Sequence, residues 1–157
     1  MPSLRFAAIP TEQVNAYREG KPDANGQIAE RHISDGSGVP CRHCLTEVGK
    51  GEPYLILSHR PFGKLQPYAE QGPIFLHAEN CPRYADENRL PAMYQGRQDM
   101  LMRGYNAEDR IIYGTGRMVA IDELEAAAGA LLDDTGVAYV HLRSATNNCF
   151  QFCIDRA

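Results

Sequence analysis

Three cysteines and a histidine set the tightest limit on how this chain can fold. Cys41-Arg42-His43-Cys44 is a C-x2-C knuckle, and His77-Ala78-Glu79-Asn80-Cys81 is an H-x3-C pair, with 32 residues between them. Three thiolates and one imidazole make a complete tetrahedral shell for a structural zinc ion. Zinc suits the set because it is borderline soft and brings no redox chemistry to the thiolates. A shared ion would tie together two segments far apart in the chain. It also forbids an extended path from His77 to Cys81, because a strand rising about 3.3 Å per residue would hold the two about 13 Å apart. The chain must turn back there, and Asn80-Cys81-Pro82 reads as the start of a short helix that would turn it.

The same residues have two competing interpretations. The cysteines could be small buried hydrophobes, with His77 satisfied by an ordinary hydrogen bond. Alternatively Cys41 and Cys44 could form a redox dithiol, in which the intervening imidazole lowers a thiol pKa. Such motifs open a helix in a βαβ setting, and the residues that follow, LTEVGKGEP, leave room for little more than a turn or two. His43 reads as an exposed side chain rather than a ligand.

Five cysteines cannot all pair within one chain. The first ten residues, MPSLRFAAIP, lack an apolar core of signal-peptide length. The longest uncharged apolar stretch, Ala126 to Leu132, is far short of the roughly 20 residues that cross a bilayer. These features predict a cytoplasmic protein with reduced thiols and no membrane partner. A net charge of −4 argues against nucleic acid, because neutralising phosphates needs a basic surface. With 157 residues, 43% of them hydrophobic, the chain is long and apolar enough for one domain over residues 1–157.

Apolar periodicity and turn signals outline the elements. Leu4 to Ile9 reads as a strand, and Thr11 as the N-cap of a helix that ends at Gly20. Gln27 to Ile33 fits strand or helix. Tyr54–Leu57 and Ile74–Leu76 are short apolar runs expected as buried strands. Asp99–Tyr105 and Arg110–Val119 read as strands joined by a turn at Asn106–Asp109. Asp122, with Glu125 three residues on, has the spacing of a capping box opening the clearest helix. Val137–Arg143 and Cys149–Asp155 close the chain as two strands. Many strands with two or three short helices predict an α+β domain with a mostly antiparallel sheet.

The last hairpin holds a second candidate site. If Ser144–Asn148 is the loop, Arg143 faces Cys149, Leu142 faces Phe150 and His141 faces Gln151. Alternation then places Ala138, Val140, Leu142, Phe150, Phe152 and Ile154 on one apolar face. Tyr139, His141, Arg143, Cys149, Gln151 and Cys153 share the other. That polar face admits a ligand patch, with Arg143 clamping an anion and Tyr139, His141 and Gln151 as polar partners. It also admits a thiolate nucleophile at Cys149 with His141 as base. A third interpretation is an ordinary covered or hydrated sheet face. Gly114-Thr115-Gly116-Arg117 is too short for a dinucleotide fingerprint and reads as a strand irregularity.

CRHCL at Cys41–Leu45, RPF at Arg60–Phe62, PYAEQGPIFLHAENC at Pro67–Cys81 and VHLRSATNNCFQF at Val140–Phe152 together resemble the small bacterial proteins of the domain-of-unknown-function family 1203. The resemblance runs from about residue 39 to 156. It implies a soluble bacterial protein of one domain, and it carries over no catalytic residue. The leading expectation is a binding or interaction module, with a small molecule or protein as partner and zinc held by Cys41, Cys44, His77 and Cys81. The alternative is a cysteine-dependent enzyme.

Overall fold

The computed structural model describes residues 1–157. It is an α+β fold of two helices and eight strands in two antiparallel sheets. The chain divides into two compact units. The larger comprises residues 1–7, 62–69 and 86–157, and the smaller comprises residues 8–61 and 70–85. No helix is long and apolar enough to cross a membrane.

The larger unit is built on a five-stranded sheet. Its strands are β1 (Leu4–Ala7), β5 (Asp99–Tyr105), β6 (Arg117–Ala120), β7 (Tyr139–Ser144) and β8 (Phe150–Arg156), in the order β1-β8-β7-β5-β6. One face carries Met100, Met102, Val140, Leu142, Phe152 and Ile154, all buried. Helix α2 (Leu124–Leu132) belongs to the same unit and buries Leu124, Ala128 and Leu132. Phe152 anchors this layer, with its ring 4.9 Å from Tyr94 and 6.0 Å from Phe6.

The expected capping box at Asp122 does not form. Ile121–Glu123 is a 3-10 turn that leads into α2, and no side chain caps the helix. The expected strand over residues 110–119 shrinks to β6. Gly114 takes φ +92°, and Thr115 turns inward to donate to the Ile112 carbonyl and accept from the Gly104 N–H. A Cβ on Gly104 would lie 3.1 Å from the Thr115 hydroxyl, so any larger residue on β5 would have to push Thr115 back by a few tenths of an ångström.

The smaller unit holds α1 (Thr11–Arg18) and a three-stranded sheet of β2 (Glu30–Ile33), β3 (Pro53–His59) and β4 (Gly72–His77), in the order β2-β3-β4. β3 is not buried on both sides as its apolar run suggested. It alternates, with Leu55, Leu57 and His59 buried and Tyr54, Ile56 and Ser58 only partly covered. β2 resolves the strand-or-helix ambiguity as an edge strand, exposed at every residue. Thr11 is not the cap of α1. Pro10 precedes the helix, and Thr11 is its first residue. Pro10 fits there because its fixed φ suits the entry to a helix and its carbonyl accepts from the Val14 N–H.

The last hairpin corrects the expected register. Val140 pairs with Ile154, His141 with Cys153 and Leu142 with Phe152, but Arg143 pairs with Phe150. Gln151 is therefore the extra residue of a β-bulge. The loop also lies one residue later than expected, at residues 145–149. Ser144 stays in the sheet opposite Met100, and Asn148 closes the loop at φ +57°, a conformation asparagine tolerates. The bulge separates two residues that simple alternation had placed together. Phe152 stays on the apolar face, while Phe150 swings to the side of His141, with ring centroids 4.9 Å apart. Gln151 turns away and accepts from the Tyr94 hydroxyl at 3.0 Å.

Candidate metal centre

The knuckle forms as a tight turn between β2 and β3. The Leu45 N–H donates to the Cys41 carbonyl at 3.0 Å, and the Cys41 N–H to the Thr46 carbonyl at 2.9 Å. Leu45 takes φ +56°, uncommon for a branched side chain, and its complete burial holds it there. The turn lies against β4 through a parallel bridge between Cys41 and Phe75. His77 is the last residue of β4. The following chain bends back at residues 78–79 without forming the expected helix at Asn80-Cys81-Pro82. It still delivers Cys81 to the knuckle.

The ligand atoms of Cys41, Cys44, His77 and Cys81 all lie within 4.8 Å of one another. Cys41 Sγ is 3.9 Å from Cys81 Sγ, and Cys44 Sγ is 3.4 Å from His77 Nδ1. A tetrahedron with Zn–S bonds of about 2.3 Å and a Zn–N bond of about 2.0–2.1 Å has edges of about 3.8 Å between sulfurs and about 3.5 Å from sulfur to nitrogen. The Cys41–Cys81 and Cys44–His77 spacings match two of these edges, and the whole group lies close enough to hold one metal ion. A two-iron cluster would spread the same ligands over two metals.

Every sulfur also has a polar partner outside the cluster's other thiols, unlike a cysteine packed as a simple hydrophobe. The His77 N–H reaches Cys41 Sγ at 3.3 Å, and the Thr46 hydroxyl lies 3.1 Å from Cys44 Sγ. Arg18 Nη2 donates to Cys81 Sγ at 3.1 Å, and His43 Nδ1 lies 3.2 Å from the same atom. On the far side of His77, Nε2 is 3.3 Å from a Glu52 carboxylate oxygen. That carboxylate fixes the tautomer that leaves Nδ1 facing Cys44.

The three thiols titrate as a unit. Hydrogen bonds from Cys44 and Cys81 hold Cys41 far below the usual thiol range, and the bonds to Cys41 push Cys44 and Cys81 above it. Full ionisation therefore needs a compensating cation, and metal binding would release protons.

His43 is not the exposed residue its sequence position suggested. It is completely buried. Its Nε2 is 2.8 Å from the Thr11 hydroxyl, and burial, then the Arg18 charge, lower its pKa and keep it neutral. Arg18 and Thr11 both come from α1, and nothing in their local sequence marks either as part of a cysteine site. The only hint was the H-x3-C spacing itself, which demands something to hold the chain folded between His77 and Cys81.

The hairpin candidates are placed differently. His141, Arg143 and Gln151 are buried, and Tyr139 is partly exposed. His141 sits among Phe62, Tyr105, Tyr139 and Phe150, at centroid distances of 4.9–5.2 Å. Tyr139 donates to Asp109 Oδ1 at 2.8 Å, and Arg143 Nη1 donates to the Asn148 carbonyl. Cys149 lies in the loop with its thiol toward the Asn147 carbonyl, and it no longer faces Arg143. His141 thus lies in an aromatic layer, with Phe62 packed against it and against Tyr105.

No curated protein and no solved structure matches the chain. One family model, described as a protein of unknown function (DUF1203), matches residues 38–156. That span begins just before the knuckle and contains all four converging ligands together with the whole bulged hairpin. The chain therefore belongs to the DUF1203 family.

Proposed function

We propose that this protein is a binding or interaction module whose smaller unit is held together by a structural zinc ion at Cys41, Cys44, His77 and Cys81. The observation that carries the reading is the agreement of the sulfur and nitrogen spacings with the edges of a zinc tetrahedron. The polar partner at every sulfur and the carboxylate behind His77 support it further. The role is structural because all four positions are filled by protein side chains, whereas a catalytic zinc keeps one open for water or substrate. Five free cysteines suit a reducing compartment, and the cytoplasm is the proposed location. The net charge of −4 favours a protein or small-molecule partner over nucleic acid.

The test is metal analysis and thiol counting on protein purified without chelator. The expected result is about one equivalent of zinc, with Cys41, Cys44 and Cys81 protected from a thiol reagent until the metal is removed. Metal-free protein in which zinc addition protects none of the three would overturn the reading.

A further inference from the structure

An H-x3-C pair can serve one ion only if its chain is held folded, and the structure shows what holds it. Arg18, in the last turn of α1, reaches both ends of the segment. Its Nε donates to the His77 carbonyl at 3.1 Å, and its Nη2 donates to Cys81 Sγ at 3.1 Å. The segment it spans has no helix or strand of its own after His77. From the other end of α1, the Thr11 hydroxyl lies 2.8 Å from His43 Nε2, and His43 Nδ1 lies 3.2 Å from the same sulfur. Cys81 is also the least covered of the three thiols, since Cys41 and Cys44 are buried. It is thus the ligand that rests least on its own backbone and most on side chains of α1.

We propose that Arg18 is the positioning residue that closes the His77–Cys81 segment, and that Cys81 is the ligand through which the metal leaves. The inference rests on the zinc reading above and adds to it the point of release. Two properties of arginine matter. Its rigid fork bonds two acceptors at once, which a lysine ammonium on a flexible stem does not reproduce. Its charge also offsets the single net negative charge of a zinc ion bound by three thiolates and a neutral imidazole. His43, oriented by Thr11, supplies the second donor to Cys81 and is a positioning residue of lesser effect.

The test compares wild type with R18K, R18Q and T11V in the zinc-loaded full-length protein. Transfer of zinc to a colorimetric chelator is timed, and iodoacetamide labelling of each cysteine is followed by mass spectrometry. R18Q is expected to release zinc about tenfold faster or more, the usual scale for losing a partner behind a metal ligand. R18K should fall between R18Q and wild type, and T11V should change the rate less than R18Q. Cys81 should be labelled before Cys41 and Cys44 in every protein.

Cobalt-substituted protein gives a readout that general destabilisation does not move. Its sulfur-to-metal charge-transfer band should shift in R18Q while the tetrahedral pattern stays. Equal release rates in wild type and R18Q, full rescue by R18K, or labelling of Cys41 or Cys44 first would each overturn the proposal while leaving the zinc reading intact. A wild-type protein that binds no zinc would overturn both.

Discussion

The two units bury one face of an antiparallel sheet with very different means. In the larger unit, Met100, Met102, Leu142 and Phe152 form a continuous apolar layer, and a second layer of Tyr105, Tyr139, His141 and Phe150 fills the other side of β5 and β7. In the smaller unit, a three-stranded sheet buries one row of residues, and its edge strand β2 is exposed throughout. Ile33, at the end of β2, is 64% exposed. Much of this unit's buried apolar material lies outside the sheet, with Ile9, Val14, Val39, Leu45 and Val48 in α1 and the loops. On the zinc reading proposed above, packing alone supports the larger unit, and ligation adds to packing in the smaller one.

Metal removal should break the comparison most sharply. Structural zinc in small domains contributes about 10–16 kcal/mol of binding free energy, so chelation or C44S should cost the smaller unit its fold. Amide exchange should show protection lost across β3 and β4 and retained across β7 and β8. Uniform loss through both units would refute the division of labour.

A smaller effect comes from the opposite unit. Phe152→Ala should destabilise the protein by about 3–5 kcal/mol, because the cavity opens between Tyr94 and Phe6. Zinc content should not change. The two readouts, denaturant midpoint and bound metal, should separate cleanly.

Acid should act on the smaller unit through His59. Burial, then the Arg42 charge, lowers its pKa to about 4, and the ring hydrogen-bonds the Tyr17 hydroxyl. A histidine with a folded pKa below its unfolded value of about 6.5 is stabilising when neutral. Its contribution is complete above pH 6.5, falls as the pH drops through 6.5, and levels off below about 4. Between pH 7 and pH 5 the wild type should lose about 2 kcal/mol more than H59Q. Parallel losses in the two proteins would remove His59 as a cause.

The weakest effect is expected at Cys149. It sits in the 145–149 loop outside both packed layers, so C149S should change stability by less than about 0.5 kcal/mol. In the zinc-loaded protein Cys149 should nonetheless react with iodoacetamide before Cys153, whose thiol pKa is pushed up by burial and then by Asp155. The reverse order would contradict the packing around β8.

Much of the fold was legible because periodicity and turn chemistry act locally. Asp99–Tyr105 was read from the sequence with the bounds it has in the structure, and the antiparallel α+β class followed from the succession of short strands. Local signals failed where a neighbour captured the group they relied on. Thr11 has the composition of a cap, but its hydroxyl is taken by His43. Thr115 interrupts the apparent strand by turning toward Gly104. The hairpin register failed by two residues over Val140–Leu142, one from the later loop and one from the bulge, which exchanged Phe150 and Gln151 between faces.

The sequence alone marked Cys41, Cys44, His77 and Cys81 as candidate ligands, because chemical type and spacing are properties of the chain. It also determined that His77 and Cys81 could not both ligate one ion from an extended strand. Tertiary structure decided how that condition is met. A fork of hydrogen bonds from Arg18, 59 residues before His77 in sequence, holds the segment closed, and a buried His43 lies against Cys81. No local pattern encodes a contact between residues that distant, because the energy of such a hydrogen bond depends on where the fold brings its two ends.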